Sequence, residues 1–212
     1  MKRAFDVVAA ALGLVLLGPL FLVIAMAIAL EDGGPVFFRQ QRVGRGGELF
    51  RVWKFRTMRV DAERGGGQLT VGQDRRITRV GRWLRSAKVD ELPQLVNVLR
   101  GEMSLVGPRP EVPRYVALYS PAQRAVLDEL PGITDPASLR YYDESVVLAN
   151  AADPEGLYVS HVMPEKIRLN LEYAARATPL TDLFIVMSTL RRIVARSHDE
   201  QNGPLVDTTL RS

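Results

Sequence analysis

Asp90 and Glu91 stand side by side in AKVDELPQLVNVLRGEMSLVGPRP, residues 87–110, just ahead of a helix-like run that ends in a Gly-Pro-Arg-Pro corner. Adjacent acids at that position have two readings. They can cap free N–H groups and complement the helix dipole, or they can do chemistry. Arg85 lies one turn upstream, and Arg109 sits between Pro108 and Pro110, which restrict its backbone. Carboxylates beside stiffly mounted arginines suit a phosphate and a divalent cation. Mg2+ prefers a few carboxylates shared with substrate phosphates, and Arg matches phosphate oxygens two at a time. The chain has no cysteine, so no thiolate is available, and His161 and His198 alone leave little for a histidine-based metal site. Neither a Walker loop nor a G-x-G-x-x-G pattern offers another phosphate cradle.

These residues need elements to hold them. Pro93 fits the first turn of a helix whose apolar stripe is Leu92, Leu95, Val96 and Leu99, and TRVGRWLRSAKV from Thr78 predicts another helix before it. Further upstream, PVFFRQQRVGRGGELFRVWKFRTM (residues 35–58) reads as a β-hairpin around GRGG. Alternation along its second strand puts Val52, Lys54 and Arg56 on one face and Trp53 and Phe55 on the other. Two cations then project together, although an edge strand with a solvated face would look the same. The Gly-rich, charged stretch DAERGGGQLTVGQDRRITRVG that follows predicts a mobile surface loop able to serve as a lid.

Residues 7–30, VVAAALGLVLLGPLFLVIAMAIAL, carry no charge and are long enough for the hydrocarbon core of a bilayer. The run is longer than a signal-peptide core and lacks a convincing cleavage site, so it is expected to be retained. Gly18 and Pro19 lie at its middle, where Pro removes a helix hydrogen bond and predicts a sharp bend. Lys2 and Arg3 precede it, and Arg39, Arg42 and Arg45 follow, which pulls both flanks to the cytoplasmic side. A re-entrant helix satisfies both flanks; on the residues alone a Pro-kinked span stays open beside it.

The chain of 212 residues is expected to form one domain with a membrane appendage: 1–32 in the membrane, 33–197 as the globular part and 198–212 as a flexible tail. Lys and Arg exceed Asp and Glu by 28 to 24, which suits an anionic surface, a phosphorylated substrate or nucleic acid without choosing among them. No nucleic-acid-recognition signature is present. In PLTDLFIVMSTLRRIVARS, Leu183, Phe184, Met187, Leu190, Ile193 and Val194 follow helical spacing, with Arg191, Arg192 and Arg196 near the end. An interfacial amphipathic helix and an ordinary core helix both fit that pattern.

The order of a Pro-centred hydrophobic segment, KFRTM, VDELPQLVNVLRGEMSLVGPRP, LPGIT and a late YAARATPLTDLFIVM resembles the bacterial sugar transferase family, the monotopic phosphoglycosyl transferases, from about Arg3 to Arg192. The resemblance implies an α+β, mainly helical fold. In it a re-entrant helix-break-helix hairpin, a short β-hairpin and interfacial amphipathic helices surround a small catalytic domain. It implies transfer of a sugar 1-phosphate from a UDP-sugar to undecaprenyl phosphate, with release of UMP, in bacterial glycan assembly. The location implied is the cytoplasmic face of the bacterial inner membrane, in contact with membrane lipid, without nucleic acid and with a homodimer allowed. By the same resemblance Asp90 is the nucleophile that forms an aspartyl phosphosugar, and Glu91 helps to bind Mg2+ and move protons. Lys54 and Arg109 lie near phosphates, with Asp182, Arg56 and Arg85 as helpers. Gly18-Pro19 replaces the Ser-Pro of many members. After PGIT this chain reads DPASLRYYDESVVLANAADPEGLY in place of a Gly-Trp/Leu-Gln-Val-Asn/Ser-Gly-Arg pattern, and Asn170 stands where an acid is common. Asp135, Arg140 and Asp143 in this region read equally well as caps and surface charges. The sugar itself stays open.

Overall fold

Helix α1 (Lys2–Asp32) packs along the hairpin and the two helices that follow it, in a computed structural model that describes residues 2–60, 62, 69, 72 and 74–202, with side chains as far as residue 195. One face of α1 is buried through Asp6, Ala10, Ile24 and Ile28, at the spacing of a single helical stripe. Its first half packs with Val52, Leu95, Val98 and Met103, and its second half with Phe55 and Leu84. The opposite face leaves Val8, Leu12, Val15, Leu16, Leu22, Val23, Met26 and Leu30 exposed. By length and composition α1 is the one helix among the described residues able to cross a membrane.

The expected break at Gly18-Pro19 is not present: α1 is continuous, with Pro19 inside it. Pro19 is exposed and Gly18 half-buried, and Pro19 removes one hydrogen bond, to the carbonyl of exposed Val15. Leu14 and Leu17 before the proline pack into one cluster, and Leu20 and Phe21 after it into another.

Both ends of α1 are fastened to the same globular body. Lys2 Nζ donates to the carbonyl of Val106 and pairs with Asp182, each at 2.9 Å. Arg3 donates to the carbonyls of Val98 and Leu99, closing the C-terminal end of the helix they belong to. Buried Asp6 accepts from the Ser104 hydroxyl at 2.8 Å and the Leu105 amide at 3.2 Å. At the far end, Glu31 accepts from the amides of Arg79 and Val80, and Asp32 pairs with Arg56.

Strands β1 (Phe37–Val43) and β2 (Leu49–Phe55) form the expected antiparallel hairpin, turned by Gly46 and Gly47 at positive φ. Helix α2 (Arg79–Ser86) begins at Thr78, whose hydroxyl accepts from the Gly81 amide at 2.9 Å. A 3-10 turn (Val89–Gln94) then leads into α3 (Leu95–Arg100). Of the predicted stripe, Leu95 is buried, Leu92 and Val96 are half-buried and Leu99 is exposed, while Asn97 and Val98 are fully buried instead. The tighter 3-10 turn, with three residues per turn, advances the phase of the helix that follows.

Strand β3 (Ser104–Val106) pairs in parallel with β4 (Gly132–Thr134). Here the two glycine motifs cross: a Cβ on Gly132 would collide with the Gly107 backbone. That contact positions the Pro108–Pro110 corner. Helix α4 (Pro113–Val116) follows the corner, and after β4 come α5 (Pro136–Arg140), α6 (Glu144–Ala149), α7 (Pro154–Leu157), a π-turn (Tyr158–Val162), α8 (Met163–Ala174) and α9 (Pro179–Asn202). Tyr115, Tyr158, Val162, Met163 and Ile167 anchor their shared core.

On α9 the predicted apolar stripe faces outward, with Leu183, Phe184, Met187, Leu190 and Val194 exposed while Asp182 and Ile185 are buried. This removes the core-helix alternative. The helix runs to Asn202, past the expected start of the tail, and residues 203–212 lie outside the described residues. So do residues 61, 63–68, 70, 71 and 73 of the expected lid, while its later part, from Asp74, is described and leads into α2.

Candidate active site

Asp90 and Glu91 occupy the first turn of the 3-10 segment, after Lys88, which adopts a left-handed φ of 56°. A non-glycine residue there is uncommon, and such strain concentrates at functional sites. The Lys88 ammonium sits over the Tyr142 ring at 5.1 Å.

The two acids are used differently. Glu91 is gripped by Arg109 through both terminal nitrogens, one at 2.8 Å, and accepts from Lys54 Nζ at 2.8 Å. Asp90 makes no hydrogen bond or ion pair among the described residues, although its residue is only 7% exposed. Burial alone would raise the Glu91 carboxyl, but Arg109 and Lys54 hold it well below the usual carboxylate range. Burial first, and then the Glu91 charge, push the Asp90 carboxyl up, against the pull of Lys54, Arg85 and Lys88. One acid is thus fixed and ionised, and its neighbour is uncommitted, more basic and ringed by cations.

Lys54 reaches Glu91 because β2 lies against the 3-10 turn, and Asn97 fixes that contact. Its Oδ1 accepts from the Trp53 amide at 2.9 Å, and its Nδ2 donates to the Arg51 carbonyl at 2.8 Å and to Glu102 at 2.7 Å. Burial lowers the Lys54 pKa, with Glu91 opposing. Arg42, cross-strand from Phe50 and on the same face as Lys54, joins Lys54, Gln94 and Arg109 around a cationic notch. Arg42 donates to the Pro110 carbonyl and to Glu111, so it also braces the corner. Sequence reasoning counted Arg42 only as a membrane flank. Its alternation with Gln40 and Phe38 opposite Lys54 was the available signal.

The remaining expected site residues are placed as follows. Arg85 is close enough for its charge to act on Asp90. Arg56 lies just past the end of β2 and binds Asp32, the Pro35 carbonyl and the Met58 carbonyl, so it clamps the end of α1. It does not project with Lys54 toward Glu91, because regular alternation ends at Phe55. Asp182 holds Lys2 and accepts from the Tyr173 hydroxyl, joining the starts of α1 and α9. Asp135 caps α5 by accepting from Ser138, and its charge also acts on Arg109. Arg140 ends α5 at the surface.

As to metal ligation, Asp90 and Glu91 are the acids at this site, and no cluster of three or more His, Cys, Asp or Glu suited to a metal occurs among the described residues. That donor set fits a cation that draws most of its ligands from phosphates and water, as Mg2+ does, and does not fit an all-protein cage.

Comparison with known proteins adds the following. The profile of the bacterial sugar transferase family matches residues 1–196. The UDP-glucose:undecaprenyl-phosphate glucose-1-phosphate transferase of Caulobacter vibrioides is 42% identical over 194 residues, covering 89% of this chain and 68% of that protein. The UDP-N-acetylgalactosamine-undecaprenyl-phosphate N-acetylgalactosaminephosphotransferase of Aeromonas hydrophila is 38% identical over 197 residues, 92% of this chain and 44% of that protein. The exopolysaccharide production protein ExoY of Rhizobium meliloti is 43% identical over 148 residues, 63% of this chain and 66% of that protein.

Proposed function

The chain belongs to the bacterial sugar transferase family, and from that premise we propose that it moves a sugar 1-phosphate from a UDP-sugar to undecaprenyl phosphate, releasing UMP, through a covalent intermediate on Asp90. One observation carries this reading: of two adjacent carboxylates, Glu91 is bound by Arg109 and Lys54, while Asp90 is left uncommitted beside the same cations.

In the first half-reaction a carboxylate oxygen of Asp90 attacks the phosphorus that bears the sugar. The bond from that phosphorus to the bridging oxygen breaks, and UMP leaves with the electron pair. In the second half, a phosphate oxygen of undecaprenyl phosphate attacks the same phosphorus, and the Asp90 carboxylate departs. The raised Asp90 pKa favours the first step by making the carboxylate a better nucleophile. A carboxylate approaching a diphosphate meets repulsion, which Lys54, Arg85 and Arg109 counter. Glu91 keeps Lys54 and Arg109 in register with Asp90. Mg2+, when bound, supplies charge neutralisation on the diphosphate, with Asp90 and Glu91 as the residues that would hold it.

A lipid acceptor requires a site at the bilayer. Helix α1 would be roughly 45 Å long if straight, more than a hydrocarbon core is thick. A crossing helix would part its two ends by that thickness, yet both are fastened to one domain by Lys2 and by Asp32. The chain is therefore read as monotopic, with the outer stripe of α1 in the cytoplasmic leaflet and the exposed apolar face of α9 beside it. The Lys2–Asp182 pair joins the two helices at their starts.

The test is release of UMP from a panel of UDP-sugars, with Mg2+ and undecaprenyl phosphate in detergent. At least one UDP-sugar should yield UMP and a lipid-linked sugar diphosphate in equal amounts. Absence of UMP from every donor would reject the proposal.

A further inference from the structure

An open cleft with an enclosed volume of about 40 Å³ lies beside Arg109 behind the Pro108–Pro110 corner. Its floor is made by α8, where Met163, Ile167 and Asn170 share the inward face. Asn170 is 4% exposed, and its Oδ1 is buried without a hydrogen-bond partner. Leaving a buried amide oxygen unpaired costs its full desolvation, so a ligand that donates a hydrogen bond there is the natural explanation. The Tyr119 hydroxyl on the same lining makes no hydrogen bond to any described residue. Burial, and then the Glu111 charge, push its pKa up, so it stays protonated and able to donate.

We propose that this cleft receives the sugar ring of the donor, with Asn170 and Tyr119 reading its hydroxyl groups and so setting which sugar is transferred. The inference rests on the UDP-sugar reading above and deepens it. The sugar is joined through one oxygen to the phosphorus under attack, so it must lie next to the phosphate-binding residues, and Arg109 lines both this cleft and the cationic notch. Asn170 Oδ1 and Glu129 are acceptors and Tyr119 and Lys166 are donors in the same lining, a mixture that suits the hydroxyl groups of a sugar, each of which both donates and accepts. Pro110, Met163 and Ile167 supply apolar contact for the C–H faces of the ring.

The experiment measures kcat/KM of the full-length protein for UDP-glucose, UDP-galactose and their 2-acetamido counterparts, together with inhibition by UMP. It compares wild type with Asn170→Leu and with the milder Tyr119→Phe, each checked for folding by thermal melting. Asn170→Leu should lower kcat/KM for the preferred sugar by about tenfold or more and flatten the preference among donors. Tyr119→Phe should do so to a lesser degree, and UMP inhibition should stay within about twofold of wild type. Should Asn170→Leu misfold, the sugar preference of Tyr119→Phe decides. Unchanged sugar preferences in the folded variants would overturn the inference while leaving the transferase reading intact. Weakened UMP inhibition with unchanged sugar preference would assign the cleft to the base and overturn it too. A wild-type protein that turns over no UDP-sugar would remove the transferase reading and this inference together.

Discussion

Arg109 meets Glu91 through both terminal guanidinium nitrogens, a two-point grip across the open end of the site that leaves neighbouring Asp90 outside the pairing. A lysine at 109 keeps the charge but not the fork. Arg109→Lys should therefore fold, melt within a few degrees of wild type, and lose about 100-fold in kcat/KM. Steady-state kinetics beside a melting curve check this, and near-normal turnover would show that the two-point grip is dispensable.

The two acids should respond to pH in opposite ways. Asp90 has a raised folded-state pKa, so its ionised form costs stability near neutrality, and that cost fades as pH falls through the raised value toward the ordinary 3.8. Asp90→Asn should thus be more stable than wild type at pH 7, by on the order of 1 kcal/mol, and the difference should shrink on acidification. Glu91 has a depressed value, so its contribution is fully present above the ordinary 4.5 and is lost only as pH falls through the depressed one. Glu91→Gln should destabilise by about 1–3 kcal/mol at pH 7, with the gap persisting to near pH 4. Urea denaturation at several pH values reads both.

Much of this site was legible in the chain. The hairpin followed from the runs around GRGG, the start of α2 from the helical pattern at Thr78, and the company of the acids with Arg109 from residue types on stiff elements, while Lys54 was brought near the site only by the family resemblance. What was missed has identifiable causes. Arg56 follows the alternation of β2 by number, but the strand ends at Phe55 and the side chain turns to Asp32. The phase of α3 was lost because a 3-10 turn precedes it. A break at Pro19 was expected from the lost hydrogen bond and the basic flanks, whereas helical structure runs on through the proline. The roles of Asn97 and Arg42 depend on which strand lies against which turn, and periodicity does not encode that.

Asn97 offers the cleanest test of how the fold positions Lys54. Asn97→Leu leaves the Trp53 amide and the Arg51 carbonyl unpaired at a buried site, which should cost about 2–4 kcal/mol. Activity should fall as well, because β2 loses its register against the 3-10 turn. A variant as stable as wild type would show that this contact does not hold the strand in place.

The monotopic reading predicts that both flanks of α1 stay inside the cell. The native chain has no cysteine, so Ala4→Cys and Glu48→Cys each introduce a single probe at an exposed position. Neither should react with an impermeant maleimide until cells are opened. Labelling of residue 4 from outside would establish a crossing helix.

The central claim is that Asp90 carries the sugar phosphate, and intact-protein mass spectrometry tests it most directly. Full-length protein is incubated with a UDP-sugar it turns over and Mg2+, without undecaprenyl phosphate, so that the second half-reaction has no acceptor. Wild type should gain the mass of one sugar phosphate and release that mass when the acceptor is added. Glu91→Gln should show a trace of adduct, and Asp90→Asn none, with no turnover. A folded Asp90→Asn protein that turns over like wild type, or wild type that turns over without ever gaining the mass, would contradict the account.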